Sequence, residues 1–168
     1  MTTEELACFM DLLGRAPSGP RIEFGVFRGK TLQLMRHSGL LMGVDSFEGM
    51  PQHTERDEKD GWIPYPKGRL ASAPPKVSGA TLVKGWVPEI LKELPVGPYA
   101  FAHLDMDQYD STLAALEWLY PKMLSGGIVV CDDWFRDRDW LAGGAINSFA
   151  KRVPLTGHVG RKAWFKIQ

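Results

Sequence analysis

The amino-acid sequence predicts an α/β fold, in which helices cover both faces of a doubly wound, mostly parallel sheet of seven strands. Apolar, strand-like segments alternate with helical segments five times, and a short antiparallel pair follows them. Such alternation is typical of a parallel sheet enclosed by helices. The 168 residues correspond to a single domain, since domains usually have ~100–200 residues.

Hydrophobic periodicity and turn residues delimit the elements. Apolar residues at helical spacing predict helices over residues 4–14, 29–37, 88–94, 111–123 and 142–151, the fourth ended by Gly126-Gly127. Strands are predicted over 21–26, 40–44, 81–83, 99–104 and 128–131, and a closing hairpin over 155–159 and 162–168. Residues 47–79 are rich in proline, glycine and charge, and predict a long functional loop or lid.

Composition and charge exclude several classes of protein. The 20 basic residues balance 20 acidic ones, which argues against nucleic acid as a partner. No apolar run approaches the ~18 residues of a membrane span, and the acidic start of the chain predicts no secretory signal. Cys8 and Cys131 are too few for a disulfide framework, so we expect free core thiols and a cytoplasmic protein.

The ends of the predicted strands indicate where a ligand binds, because open α/β sheets bind ligands beyond the carboxyl ends of their strands. Four of the five parallel strands end in glycine or in carboxylates. These ends are, in chain order, Gly25, Asp45, the segment 84–86, Asp105, and the pair Asp132-Asp133.

The glycine-containing segment after the first strand, E-F-G-V-F-R-G-K-T over residues 23–31, is compatible with three ligands. A dinucleotide requires G-x-G-x-x-G, of which only Gly25 and Gly29 are present. A nucleoside triphosphate requires G-x-x-x-x-G-K-T, and the segment from Gly25 to Thr31 is one residue short of it. Loops that bind S-adenosylmethionine commonly have the pattern acid, one residue, glycine, three residues, glycine. Glu23, Gly25 and Gly29 match this pattern in register. A purely structural turn remains a fourth interpretation.

Asp45 follows the second strand 20 residues beyond Gly25. A carboxylate at this place can accept two hydrogen bonds from a ribose diol. Both NAD and S-adenosylmethionine carry that diol, so Asp45 favours a nucleoside without choosing between them. Its alternative role is to cap a turn.

Carboxylates are concentrated after the fourth and fifth strands, at Asp105, Asp107, Asp132 and Asp133. If these strands are neighbours, their ends lie ~5 Å apart. Like charges so close favour a cation, and a set of oxygen ligands suits Mg²⁺. Alternatively, some of these acids cap helices and the others face solvent, or they serve an NTPase.

Five collinear segments from about Ile22 to Trp134 carry a resemblance to a known family. The sequence resembles the macrocin O-methyltransferase family in E-F-G-V-F-R-G-K-T, G-V-D-S-F-E-G-M-P (43–51), V-K-G-W (83–86), H-L-D-M-D-Q-Y-D-S-T (103–112), and L-Y-P-K with S-G-G-I-V-V-C-D-D-W (119–134). The resemblance implies a Rossmann-like class I methyltransferase that transfers a methyl group from S-adenosylmethionine to a hydroxyl of a sugar or small diol-containing natural product, assisted by Mg²⁺. The alternatives are a small P-loop-like NTPase and a non-catalytic S-adenosylmethionine-binding domain.

The resemblance also implies roles for individual residues. Asp105 is expected to be the general base and, with Asp132 and Asp133, to bind Mg²⁺, and Asp107 is a weaker candidate for both duties. Residues expected to bind S-adenosylmethionine are Glu23, Phe24, Gly25, Val26, Gly29 and Thr31 around the methionine end, Asp45 and Ser46 at the ribose, and Gly85 and Trp86 near the adenine. Candidates to line the acceptor side are His53, Trp62, Tyr65 and Trp134. Homo-oligomers are common in the family.

The chain departs from the family pattern between the second and third strands, where family members usually have a helix. Residues 69–79 take that place, and Pro74-Pro75 prevent a continuous helix there. We therefore expect a more open acceptor pocket than is usual in the family.

Overall fold

One sheet of seven strands organises the chain, and a computed structural model describes all of residues 1–168. The spatial order of the strands is 3-2-1-4-5-7-6 in chain numbering. The first five strands in this order are parallel, and the seventh strand of the chain pairs antiparallel with both the fifth and the sixth. The predicted fold class is therefore confirmed. The strands are β1 (Arg21–Phe24), β2 (Leu41–Asp45), β3 (Ala80–Lys84), β4 (Tyr99–Leu104), β5 (Met123–Cys131), β6 (Gly157–Val159) and β7 (Lys162–Lys166).

Four α-helices flank the sheet: α1 (Thr3–Arg15), α2 (Lys30–Leu34), α3 (Tyr109–Leu119) and α4 (Leu141–Ala150). The second is shorter than predicted and ends at Leu34. The third begins two residues earlier than predicted and passes into a 3₁₀ turn (Tyr120–Lys122). The helix predicted over 88–94 is a 3₁₀ helix, Glu89–Glu93. None of these helices is long and apolar enough to span a membrane.

The prediction that Gly126-Gly127 end a helix was wrong, because both glycines lie within β5. Gly126 has a φ of +77°, and the pairing of β5 with β4 shifts register next to it. Between the pairs Tyr99–Met123 and Phe101–Ile128, β4 advances by two residues and β5 by five, so β5 bulges at this point without ending. The strand therefore starts five residues earlier than predicted, at Met123.

Two hydrophobic clusters lie on opposite faces of the sheet. On one face, Leu116 of α3 and Ile146 of α4 belong to a cluster of 21 buried residues. On the other, Phe9 of α1 and Leu32 of α2 belong to a cluster of 12. Burying each such side chain contributes about 1.5–3 kcal/mol to the stability of the fold. Because helices pack on both faces, the strands and their ends are held in place.

The segment between β2 and β3 contains a 3₁₀ turn at Glu55–Asp57 and an isolated bridge between Lys59 and Trp62, but no longer element. Two backbone hydrogen bonds close it, from Met50 N to Arg69 O and from Gly68 N to Met50 O. Within it, the buried carboxylate of Asp57 accepts a hydrogen bond from the backbone N–H of Tyr109 at 2.8 Å. The segment is thereby fastened to the first turn of α3.

Candidate active site

A cavity of about 340 Å³ opens at the carboxyl ends of the parallel strands. Small-molecule sites usually have volumes of ~300–1,000 Å³. Because the strand order is 3-2-1-4-5, the lining runs from the end of β3 on one side to the end of β5 on the other. The residues that line it after successive strands of this order are Gly85 and Trp86, Asp45 and Ser46, Gly25, Asp105 and Asp107, and Asp132 and Asp133.

Gly25 lies at the centre of this arrangement, where β1 is followed by the glycine segment. Its φ is +83°, and a Cβ atom there would lie 1.8 Å from the carbonyl oxygen of Asp105. No side chain fits so close an approach of two backbones. Gly25 therefore allows the loop after β1 to lie directly against the loop that carries Asp105.

Gly25→Ala is expected to destabilise the fold far more than Gly79→Ala. Both glycines have φ near +80°, but Gly79 has open space where its Cβ would be. The left-handed conformation alone costs about 1–2 kcal/mol, and crowding at position 25 adds about 1–3 kcal/mol or more. Urea unfolding of the two variants measures the difference, and equal losses would show that the contact with Asp105 relaxes freely.

Asp45 braces the glycine segment as well as lining the cavity. Its Oδ2 accepts a hydrogen bond from the Phe27 N–H at 2.8 Å, and its Oδ1 accepts one from the Phe47 N–H at 2.7 Å. Each carboxylate oxygen can accept a further bond. The turn-capping role and a role toward a ligand are therefore compatible in one side chain.

The residues around Asp45 are held by one backbone hydrogen bond to Asp45 and by hydrogen bonds of the Ser46 hydroxyl within its own turn. The Gly85 N–H donates to the backbone carbonyl of Asp45 at 3.0 Å. The Ser46 hydroxyl donates to the carbonyl of Gly49 at 3.1 Å and accepts from the Glu48 N–H at 3.1 Å. Ser46 is thus engaged in shaping its own turn, and Gly85 fixes the position of Trp86 beside it.

The acids after β4 and β5 divide into two groups that share Asp105. Carboxylate oxygens of Asp105, Asp107 and Asp133 all lie within 4.8 Å of one another, and so do ligand atoms of His103, Asp105 and Asp132. The expected set of Asp105, Asp132 and Asp133 is not brought together in this way. Both residues follow the end of β5, and Asp133 has a left-handed φ of +58°, so the backbone turns between the two side chains.

Asp132 faces two basic groups. Its Oδ1 contacts the Lys162 ammonium group of β7 and lies 3.5 Å from Nε2 of His103. Burial acts to raise the pKa of Asp132, but the hydrogen bonds and charges of His103 and Lys162 outweigh it and hold the pKa below its ordinary value. Asp132 is therefore an ionised carboxylate that already has counter-charges.

Asp105 and Asp107 form no ion pair of this kind. Burial and the charge of Asp132 raise the pKa of Asp105 to about 7. Burial, contact with Asp133 and the charge of Asp105 raise the pKa of Asp107 to about 8. Burial and the same carboxylates also raise the pKa of Tyr65, which lines the cavity beside them. Negative charge is thus concentrated where a cation would relieve it.

Glu23 does not line the cavity. It is buried in β1 and pairs across the strands with His103 of β4, at 2.9 Å between Oε1 and Nδ1. Burial lowers the pKa of His103, but its interactions with the carboxylates of Asp132 and Glu23 outweigh it and raise the pKa to about 9. Glu23, His103 and Lys162 are buried, and together with Asp132, which lines the cavity, they form a chain of alternating acidic and basic side chains.

Other residues expected at the cofactor lie around the glycine segment. Phe24 is fully buried, with its ring edge-on to Trp118. Gly29 precedes α2 in a left-handed conformation, packed against Pro75 and Val77. Val26 and Thr31 line a second recess of about 220 Å³, which Gly25 and Asp105 border as well.

Of the four aromatic residues expected on the acceptor side, only Tyr65 lines the cavity. Trp134 is buried and donates a hydrogen bond from Nε1 to Oδ1 of Asn147 at 2.8 Å, which is a packing role. Trp62 is 61% exposed and packs against Trp140, and His53 is hydrogen-bonded to its neighbour Gln52.

Sequence reasoning did not find His103, Lys162 or Arg161, which all contact the predicted acids. His103 lies two residues before Asp105 and therefore on the same face of β4, a spacing that could have indicated it. Lys162 and Arg161 have no such signal. They reach the acids only because β7 pairs with β5, and Arg161 lies 3.0 Å from Asp133.

Comparison with known proteins relates the chain to one enzyme family. Residues 77–156 match the macrocin O-methyltransferase family. Two curated relatives, both from Streptomyces, are 30% identical to the chain. They are 8-demethyl-8-(2,3-dimethoxy-alpha-L-rhamnosyl)-tetracenomycin-C 4'-O-methyltransferase of Streptomyces olivaceus, over 77% of this chain and 58% of its own length, and demethyldecarbamoylnovobiocin O-methyltransferase of Streptomyces niveus, over 76% and 57%. The chain thus spans somewhat more than half of these relatives.

Solved structures of methyltransferases share the fold. The calicheamicin methyltransferase CalS11 superposes with a TM-score of 0.75 at 23% identity, over 98% of this chain and 80% of that protein. The mycinamycin-pathway methyltransferase MycE, solved with Mg and SAH, gives a TM-score of 0.60 at 13% identity, over 98% and 49%. The chain is therefore similar to the macrocin O-methyltransferase family through residues 77–156, and it shares the fold of solved methyltransferases.

Proposed function

We propose that the chain is an S-adenosylmethionine-dependent O-methyltransferase that acts, with Mg²⁺, on a hydroxyl of a sugar or small diol-containing natural product. The observation that carries this proposal is the single cavity in which Asp45, Gly85 and Trp86 on one side meet the acids after β4 and β5 on the other. The names of the two curated relatives, both O-methyltransferases of natural products, support the substrate class.

The residues of the cavity fit both implied groups. The Asp45 oxygens retain acceptor capacity for a ribose diol, and the backbone of Gly25 approaches without a side chain. The acids offer only oxygen atoms, which is the donor set that Mg²⁺ prefers. Asp105 and Asp133 would hold the ion, since they belong both to the expected ligand set and to a compact group of carboxylates. MycE, with the same fold, binds Mg and SAH.

In this proposal the chain positions an acceptor hydroxyl between the donor and the acids. Bound S-adenosylmethionine supplies an activated methyl group, and a bound divalent ion lowers the pKa of a hydroxyl that it contacts. Asp105 would accept the hydroxyl proton, as a carboxylate positioned within hydrogen-bond reach of the acceptor can. Correct orientation of the two reactants contributes up to about 7–11 kcal/mol of barrier reduction.

Binding of the methyl-donor product tests the first half of the proposal. We expect S-adenosylhomocysteine, and not ATP, to bind the purified chain in isothermal titration calorimetry. Asp45→Ala should weaken this binding at least ~10-fold, since hydrogen bonds to a charged group contribute about 1.5–3 kcal/mol.

Glu48→Ala is the matched control, because Glu48 is an exposed acid that pairs with Lys84 and does not line the cavity. It should leave the affinity unchanged. Binding of ATP without S-adenosylhomocysteine would favour the NTPase alternative instead. An unaltered affinity in Asp45→Ala would remove the ribose role from this residue.

A further inference from the structure

A tight turn presents an exposed tryptophan beside the cavity. Lys59 and Trp62 exchange two backbone hydrogen bonds, of 3.1 and 2.9 Å, around Asp60 and Gly61. Both central residues have left-handed φ values, +52° and +76°, as in a type I′ hairpin turn. The turn therefore holds Trp62, which is 61% exposed, in a defined place three residues before Tyr65 of the cavity.

Trp62 forms one surface with side chains of the loop that follows β5. Its ring packs edge-on against Trp140, with 5.7 Å between the ring centres. The guanidinium carbon of Arg138 lies 5.3 Å from the centre of the Trp140 ring and 3.7 Å from that of Phe135. These four residues, here called the rim surface, lie next to the cavity without lining it.

Asn147 of α4 holds the loop that carries the rim surface. Its Oδ1 accepts a hydrogen bond from Nε1 of Trp134 at 2.8 Å. Its Nδ2 donates, at 2.8–3.1 Å, to the backbone carbonyls of Phe135, Arg136 and Arg138. A surface fixed in this way loses little conformational freedom when a ligand binds to it.

The positive charge of Arg138 has no carboxylate partner. Its guanidinium group forms no ion pair with any acid of the chain. A Cβ atom on Gly143 would lie 2.8 Å from Cδ of Arg138 and 3.0 Å from the carbonyl oxygen of Asp133, so the Arg138 side chain runs beside the cavity wall. Such a guanidinium group suits an anion on a ligand.

The cavity has room for only part of an acceptor. Its volume of about 340 Å³ lies near the lower end of the ~300–1,000 Å³ of small-molecule sites. In the proposed function it holds the methyl donor as well as the reacting hydroxyl. The remainder of the acceptor therefore lies outside the cavity, where the rim surface is exposed.

We propose that Trp62, Trp140 and Arg138 form a subsite for a planar, negatively charged group attached to the sugar of the acceptor. The inference rests on the proposed function in that the acceptor is a sugar-containing small molecule. A flat ring stacks on the exposed indole of Trp62, and Arg138 binds the anion through charge-assisted hydrogen bonds. A nucleoside diphosphate and an aromatic aglycone with an acidic group share this chemistry.

Binding of fragments, without turnover, tests the subsite. Ligand-observed NMR titrations compare uridine diphosphate with uridine, and 2-naphthoate with 2-naphthylmethanol, so that each anion has a neutral counterpart with the same ring. One anion should bind at least ~5-fold more tightly than its counterpart, because hydrogen bonds to charged groups are the stronger ones. Preference for uridine diphosphate identifies a nucleotide-linked sugar, and preference for 2-naphthoate identifies an acidic aglycone.

Variants separate the contribution of the charge from that of the ring. Arg138→Gln should weaken binding of the preferred anion at least ~5-fold and leave its neutral counterpart unchanged. Arg136→Gln is the matched control, because Arg136 is an exposed arginine of the same loop, and it should change neither affinity. Trp62→Ala should weaken both ligands ~10-fold, whereas Trp62→Phe keeps a stacking ring and should retain most of the affinity.

Equal affinities for each anion and its neutral counterpart would overturn the proposal, and so would equal effects of Arg138→Gln and Arg136→Gln. Saturating S-adenosylhomocysteine should leave fragment binding unchanged. Displacement of the fragment would place it on the donor side of the cavity and would also overturn the subsite. If S-adenosylhomocysteine itself fails to bind, the proposed function is contradicted, while the fragment affinities and their response to Arg138→Gln still decide on the subsite.

Discussion

Asp105→Ala is expected to lower kcat for methyl transfer by about 10³-fold or more, with little change in the affinity for S-adenosylhomocysteine. Asp105 belongs to both groups of ligand atoms around the acids, so its removal takes away a proton acceptor and a shared ligand together. General base catalysis alone accounts for about 10²–10⁴-fold. Initial rates with a natural-product glycoside, together with calorimetry, separate the two effects.

Asp137→Ala is the control for this variant, because Asp137 is an exposed acid that does not line the cavity. It should retain the original rate. Normal turnover in Asp105→Ala would remove Asp105 from the mechanism. A parallel loss of donor affinity would instead assign it to shaping the loop that contacts Gly25.

Removal of divalent ions with EDTA is expected to abolish methyl transfer, and excess Mg²⁺ should restore it. The carboxylates of Asp105, Asp107 and Asp133 repel one another without a cation, so an acceptor hydroxyl would meet uncompensated negative charge. Donor binding depends on the other side of the cavity and should persist in EDTA. Full activity in EDTA would eliminate the metal from the mechanism.

The proposed enzyme should need a lower Mg²⁺ concentration for half-maximal rate as pH rises. Burial raises the pKa of Asp105 to about 7 and that of Asp107 to about 8, so protons compete with the ion below these values. The Mg²⁺ concentration for half-maximal rate should therefore fall between pH 6.5 and pH 8.5. A half-saturation constant independent of pH would show that these carboxyls do not exchange protons for the ion.

The position of the cavity was predictable from sequence because strand ends obey a simple rule. Gly25, Asp45 and Asp105 each follow a segment that could be recognised as a strand, and parallel strands present their carboxyl ends at one edge. The elements that were predicted less well are short ones. The 3₁₀ helix at Glu89–Glu93 and the bulge at Gly126 depend on tertiary packing, which local periodicity does not contain.

The direction in which each acid points was not predictable in the same way. Glu23 fits a cofactor pattern in the sequence, yet the pairing of β1 with β4 turns it toward His103. Asp132 and Asp133 are adjacent in sequence but face different partners, because β7 brings Lys162 to one and Arg161 to the other. Such differences arise from strand pairing over more than 25 residues, and no local motif encodes them.

The backbone bonds between Met50 and residues 68–69 have a consequence for how this scaffold could diversify. They make residues 51–67 a loop whose two ends are hydrogen-bonded to each other, whatever conformation the residues between them adopt. Doubling the length of such a loop costs only about 0.6 kcal/mol in closure entropy. Insertions there could remodel the cavity entrance near Pro51 and Tyr65, while Asp45 and Gly85 keep the backbone hydrogen bond that joins them.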